Sequence, residues 1–288
     1  MTEAMKDQAS VLREMVKASG RRARVIAVTG GKGGVGKTIL PVNLAMACAQ
    51  LGKRSLVIDA DLGLANTDIV LDVASASNLS HVVKGTREMQ DVVVKTKWGI
   101  DLIPGASGLG EMAALPKSDL LRLAEGFRTL EASQDLIFFD TGAGIGPGVL
   151  TFALAAHQMI LVTTAEPTAV TDAYATLKLL LQQGFRGKCS LVVNMAGSLA
   201  EAAQCARGVG KVATQFLKFK VDWLGYLLRD PVVSLAVKRR QPFLSLFPKS
   251  CAAEGVRMLA SRLLAGRTED DDGTAPGFIH RLVKVLGG

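Results

Sequence analysis

The sequence predicts an α/β fold: a mostly parallel, twisted sheet with helices on both faces, in a single domain that carries an extension at each end. Three observations predict it. Short apolar runs ending in turn or polar residues recur along the chain, and helix-like stretches separate most of them. Hydrophobic residues fill 49% of the 288 positions while aromatics fill only 5%, which suits buried parallel strands built from Val, Ile and Leu. The first apolar run feeds a glycine-rich turn that opens a helix, a junction typical of such sheets. A chain of this length can bury one substantial core.

Taken in order, the expected strands are "RVIAVTG", "SLVIDAD", "IDLIPG", "DLIFFDTG", "MILVTT", "CSLVVNM" and "WLGYLL". Between the first two lies the helix "TILPVNLAMACAQLG". Its Pro41 falls within four residues of the expected start at Lys37, where backbone N–H groups lack intrahelical partners, so the proline need not break it. "TDAYATLKLLLQQG" is a second helix, closing on a glycine that can cap it. There is no internal repeat. The acidic, Gly- and Pro-containing stretch "RTEDDDGTAPG", residues 267–277, reads as a solvated linker. The expected organisation is therefore a front segment 1–20, a body 21–266, the linker and a terminal helix 278–288.

Composition excludes some classes. No apolar run approaches the roughly 18 to 20 residues needed to cross a bilayer, and "MTEAMKDQAS" lacks the apolar core of a signal peptide, so a cytoplasmic location is expected. Cys48, Cys189, Cys205 and Cys251 are widely spaced without a CxxC, and read as buried thiols rather than as a metal site or disulfide framework. The net charge of +8 fits an acidic partner, nucleic acid or an anionic membrane, but a solvated basic surface gives the same sum. Basic residues gather at Lys17, Arg21, Arg22 and Arg24 and again at Arg281 and Lys284.

Residues 30–38, "GGKGGVGKT", follow an expected strand and open an expected helix. Gly31, then Lys32, Gly33, Gly34 and Val35, then Gly36, Lys37 and Thr38 match a phosphate-binding loop, whose backbone N–H groups close around the phosphates of ATP. Lys37 is expected on the β- and γ-phosphates and Thr38 on Mg²⁺. The plainer alternative is a ligand-free turn. Asp140 stands directly after an apolar strand, where an aspartate holds Mg²⁺ through its water, with Gly142 and Gly144 placed to approach a γ-phosphate. Asp59 and Asp61, two apart, share a face if their strand persists. One such carboxylate can be a structural cap; three converging on a phosphate loop point to phosphoryl chemistry. None of the three histidines lies near these motifs, and Lys32 is surplus to the loop's own pattern.

"KGGVGKT", "DADLGLAN", "DTGAG" and "EPTAVTDAY" together resemble the MinD/ParA class of P-loop ATPases, across roughly residues 22–265. The resemblance implies a homodimer that sandwiches ATP, in which Lys32 crosses the interface to the phosphates of the other subunit; the alternative is a solvated loop lysine. It also implies that Asp61 orients the attacking water, that Asp59 helps hold hydrated Mg²⁺, that Asn194 contacts adenine and that Asp230 lies on the second base-contacting loop. A glycine in "DTGAG" replaces the proline common in the wider class, leaving the carboxylate role intact.

The two ends narrow the choice within the class. On a helix, Phe278, Ile279, Leu282, Val283 and Leu286 gather on one side and His280, Arg281 and Lys284 on the other, which reads as an in-plane helix on the inner face of an anionic cell membrane, reversible if it depends on dimerisation. The alternative is a helix docked on its own domain, and the two need not exclude each other. At the front, "DQASVLREMV" puts Val11, Leu12, Met15 and Val16 near one helical face, plainly read as a helix covering the domain. Its "DQA…LR" string also resembles the activator segment of the FlhG family, known too as FleN or YlxH, MinD-like regulators of flagellar number and placement. That resemblance implies binding of the GTPase FlhF through Asp7, Gln8, Leu12 and Arg13. It is supported by "DADLGLANTDIVL", "PGASG" and "AVKRRQPFLSLFPKS". Whether flagellar C-ring proteins or a flagellar transcription activator also bind stays open. The competing functions are a MinD-type division-site regulator, a ParA-type DNA partition ATPase and an iron–sulfur reductase. No helix-turn-helix signature and no paired cysteines after Asp140 support the last two, so no specific nucleic acid is expected.

Overall fold

The computed structural model describes residues 22–61, 67–105, 117–142, 147–266 and 277–287. Eight strands form one sheet: β1 (Arg24–Thr29), β2 (Ser55–Asp59), β3 (Val94–Lys95), β4 (Asp101–Ile103), β5 (Leu136–Asp140), β6 (Gln158–Thr163), β7 (Lys188–Ala196) and β8 (Val221–Leu228). Their spatial order is β3-β4-β2-β5-β1-β6-β7-β8, parallel throughout except for the β3–β4 pair. All seven expected strands are present. Only β3 was missed, because two residues cannot display an alternation.

Every residue of β1, β2, β5 and β6 is buried, because helices cover both faces. Within β1, Val25 and Ala27 enter one core, and Ile26 and Val28 enter the other. The second core packs α1 (Ile39–Gln50) against the sheet beneath α10 (Cys251–Ala265). Residues Leu40 to Cys48 of α1 are all buried, so the helix is apolar all round rather than amphipathic. Its one buried amide, Asn43, is satisfied by donating to Ile39 O (2.8 Å) and accepting from Leu244 N (2.9 Å), which ties α1 to α9 (Phe243–Leu246). Pro41 occupies the first turn of α1, as expected. Helix α6 (Pro167–Gln182) ends at Gly184, whose φ of 95° is the left-handed conformation that a C-terminal glycine supplies without strain.

The remaining described helices are α2 (Thr67–Leu71), α3 (Leu79–Val83), α4 (Lys117–Ser133), α5 (Pro147–Ala155), α7 (Leu199–Val212), α8 (Pro231–Lys238) and α11 (Phe278–Gly287). The last of these is the tail, and it is docked. Phe278 and Leu282 are each 1% exposed within the first core, where the Phe278 ring lies 5.4 Å from Phe127 of α4 and 5.3 Å from Phe139 of β5. Ile279 and Val283 are half-buried, while His280 and Lys284 face outward; Leu286 falls where side chains are not described. Of the two arrangements the sequence left open, the structure holds the one that satisfies the aromatic pocket. The Phe278 N–H, at the start of the helix, donates to the buried carboxylate of Glu131 on α4, and Arg281 Nη1 donates to Ala156 O (3.3 Å). The front segment with Asp7, Gln8, Leu12 and Arg13, and linker residues 267–276, lie outside the described residues.

Two of the four cysteines correct the expectation that all are buried. Cys48 and Cys189 are buried, and burial pushes the Cys48 thiol up to about 12. Cys205 is only half-buried, and Cys251 is exposed because it opens α10 next to a surface turn. All four are free thiols. Among the described residues, no helix is long and apolar enough to cross a membrane.

Candidate nucleotide site

The carboxyl ends of β1, β2 and β5 meet at one edge of the sheet. Strand β1 runs into the loop at 30–38, which leads into α1. Gly34 and Gly36 adopt φ of 79° and 93°, so the loop needs glycine at both. Space adds a second demand: a Cβ on Gly36 would run into the Asn194 amide, and one on Gly31 into the Asp172 backbone. Gly33 has open space and Val35 is buried, anchoring the loop to the second core. Gly36→Ala should therefore cost about 1–2 kcal/mol from backbone conformation alone, plus the displacement of Asn194. The expected result is a lower denaturation midpoint together with loss of nucleotide binding, followed by chemical denaturation and by titration with a fluorescent nucleotide.

Lys37 is 6% exposed and curls under the loop, its Nζ donating to Lys32 O at 2.6 Å. Burial lowers its pKa, against the attraction of Asp140 and Asp61. Lys32 goes elsewhere. Its ammonium lies 3.3 Å from both Glu166 Oε2 and Thr168 Oγ1 at the start of α6, and its side chain is 42% exposed. Glu166 and Thr168 carry this contact although the sequence reading gave neither a role; both sit in the quoted "EPTAVTDAY" stretch.

Register brings the carboxylates together. Asp59 and Asp140 are paired residues on neighbouring strands β2 and β5, and both are essentially inaccessible to solvent. Burial first and the Asp59 charge second push the Asp140 carboxyl up to about 7, with the Thr38 hydroxyl and Gly142 amide pulling against them and Asp61 adding a smaller upward push. Asp140 Oδ1 is buried without a hydrogen-bond donor. Two adjacent buried carboxylates with an orphaned oxygen call for a cation. Mg²⁺ fits the donor set of Thr38, Asp59 and Asp140, whose hard oxygens suit it, and it would neutralise phosphate charge there.

The strand β2 ends at Asp59, so the strand does not persist to Asp61 and the two do not share a strand face. Asp59 bends the chain instead, because its carboxylate accepts from both Asp61 N and Thr67 N, at 3.0 Å each. The turn swings the Asp61 carboxyl against Gly142, whose φ of 69° brings its backbone close. Asp61 thus faces the segment after Asp140 by another route. Asn194 donates to Val35 O (2.8 Å) and accepts from Met195 N (2.9 Å), bracing the phosphate loop. Asp230 caps two helices at once, accepting from Val232 N and Ala252 N at 3.1 Å each.

The comparisons with known proteins agree with this geometry. A family model described as an AAA domain matches residues 23–183. The antiactivator FleN of Pseudomonas aeruginosa is 38% identical over 240 residues, which cover 83% of this chain and 86% of FleN. The chain belongs to the FleN/YlxH family of MinD-like P-loop ATPases. Another member, the flagellum site-determining protein YlxH of Helicobacter pylori, is 31% identical over 269 residues, 92% of this chain and 91% of YlxH. Among solved structures, the septum site-determining protein MinD of Pyrococcus horikoshii, complexed with Mg-ADP, superposes with a TM-score of 0.69 at 25% identity, covering 85% of this chain and 98% of that one. As a FleN/YlxH-family member the protein is an ATPase.

Proposed function

We propose that this chain is an ATP-driven switch that pairs with a second copy when both hold ATP, binds the inner face of the cell membrane reversibly, and regulates flagellar number or placement together with an FlhF-type GTPase. The flagellar role rests on FleN and YlxH. The observation that carries the switch is the position of Lys32: its ammonium stands outside its own phosphate cradle, half-exposed, on a neighbouring helix start. A cation so placed serves a phosphate brought by another molecule better than its own. Two ATP-Mg units facing each other concentrate negative charge, which a lysine offered across the interface offsets.

The tail supports membrane binding and explains why it is reversible. Phe278 and Leu282 are the residues that would enter a lipid surface, and they are the ones buried in the docked state, so one arrangement excludes the other. About three turns of helix bind a bilayer weakly, but two tails in one dimer make the second insertion intramolecular and raise avidity by roughly 10² to 10⁴. Sedimentation with vesicles containing anionic lipid tests the proposal. Pelleting is expected with a slowly hydrolysed ATP analogue, with little in ADP and none after deletion of residues 276–288. Equal pelleting in both nucleotides, or a monomer in the ATP-analogue state by light scattering, would overturn it. For the front end, a peptide of residues 1–20 should stimulate the partner GTPase and its Gln8→Ala variant should not; equal stimulation by both refutes activation through Gln8.

A further inference from the structure

Thr67 opens α2 and is completely buried, next to both carboxylates of the nucleotide site. Its N–H donates to Asp59 Oδ2 at 3.0 Å, and its hydroxyl donates to Asp140 Oδ2 at 3.4 Å. A buried threonine hydroxyl in a short helix ordinarily bonds to a backbone carbonyl of its own element; this one reaches a strand 73 positions away in sequence. The second oxygen of Asp140, Oδ1, has no donor.

A carboxylate attached to a strand end can turn about its last bond, and the two orientations are nearly equivalent unless something distinguishes the oxygens. Thr67 supplies a donor on one of them, beside the Thr38 hydroxyl and Gly142 amide that also bond to this carboxylate. A donor on Oδ2 leaves Oδ1 as the oxygen offered to a cation, and the amide of the same residue fixes Asp59 on the adjacent strand. The helix that presents Thr67 is itself held, since Val70 and Leu71 are buried and Trp98 Nε1 donates to Leu71 O at 3.2 Å.

We propose that Thr67 is a positioning residue of the ATPase site, its hydroxyl on Asp140 Oδ2 and its amide on Asp59 Oδ2 together fixing the two carboxylates so that Asp140 Oδ1 is presented to one divalent cation. The inference rests on the Mg²⁺ assignment made above from the orphaned Asp140 oxygen, and not on membrane binding or pairing. It also ties Asp61 to the cation, because Asp61 N and Thr67 N bond to the same Asp59 carboxylate.

The test replaces the hydroxyl without changing the shape. Thr67→Val removes the donor and keeps the volume; Thr67→Ser keeps the donor. Binding of a fluorescent ADP analogue is followed while Mg²⁺ is titrated, with circular dichroism confirming the fold. For Thr67→Val the Mg²⁺ concentration giving half-maximal enhancement should rise roughly 10-fold or more, the size usual for loss of a group that orients a metal ligand. Affinity in EDTA should be unchanged, and in the ATPase assay kcat should fall more than KM rises. Thr67→Ser should behave as wild type in all three. An unaltered Mg²⁺ titration in Thr67→Val overturns the proposal. So does an equal loss with and without Mg²⁺, or a serine variant as impaired as the valine one. If the valine variant does not fold, Thr67→Ala is titrated in the same way, with the same rise expected and an unaltered titration again refuting the role. A wild-type protein whose ADP binding ignores Mg²⁺ would instead refute the cation assignment beneath it.

Discussion

Lys32→Ala should bind ATP within a few-fold of wild type, yet hydrolyse it roughly 10³-fold more slowly and no longer pair when ATP is added. The rate figure is what loss of a cation supplied to a phosphoryl-transfer site by a neighbouring molecule costs. Binding should survive because the cradle does not use the Lys32 side chain: only its carbonyl oxygen is engaged, by Lys37 Nζ at 2.6 Å, and alanine keeps that carbonyl. Lys37→Ala is the contrasting control, since it removes the buried ammonium beneath the loop and should abolish nucleotide binding itself. Glu166→Gln should act in the opposite sense. It removes the carboxylate that holds Lys32 at 3.3 Å and leaves a weaker neutral acceptor, so pairing should appear at lower ATP concentration. The ion pair is exposed on both sides, so the change should be no more than a few-fold. Light scattering and calorimetric titration separate the two readouts. Equal dimer fractions for wild type and Lys32→Ala would remove the trans role, and the surplus lysine would become a surface residue held by α6.

That lysine marks the limit of what the sequence can show. The strands were legible because each is a continuous apolar run bounded by a turn, and the phosphate loop because its glycines are required for backbone reasons that any sequence must obey. The Asp59–Asp140 pair was legible as two strand ends, although only the parallel register sets them side by side. What could not be seen were contacts between residues far apart in the chain with no periodicity to announce them. Glu166 holding Lys32, Thr67 touching Asp140 and Asn194 bracing Val35 are all of this kind. Whether Asp59 and Asp61 share a face depended on the strand persisting, which the sequence left open; an aspartate whose side chain accepts the N–H two residues on ends the strand there. The amphipathic tail was read correctly as amphipathic, but an apolar stripe does not say what covers it, and here the covering surface is the Phe127, Phe139 and Phe152 cluster.

Raising the pH from 6 to 8 should loosen the tail about tenfold, and Glu131→Gln should remove that dependence. Glu131 is 4% exposed, beneath the start of α11, facing the Phe278 N–H and the Arg22 guanidinium. Burial pushes its carboxyl from 4.5 up to about 7, against the pull of Arg22 and of the Phe278 amide. When α11 leaves, the carboxyl regains water and returns toward its ordinary value, so the docked state binds the proton more tightly than the open one. Docking is then strongest below 4.5, where both states are protonated, weakens as pH rises toward 7, and is constant above it. At about 1.4 kcal/mol per pH unit the whole interval amounts to at most about 3.4 kcal/mol, and the part between pH 6 and 8 to about 1.4. Amide exchange of residues 278–285, corrected for the intrinsic pH dependence of the chemistry, reads the opening directly. Glutamine keeps an oxygen for the Phe278 N–H but never ionises, so its docked helix should show one opening constant across the range. A wild-type slope matched by that of Glu131→Gln would assign the pH effect to some other group. A flat wild type would mean that water reaches Glu131 even while Phe278 stays seated between Phe127 and Phe139.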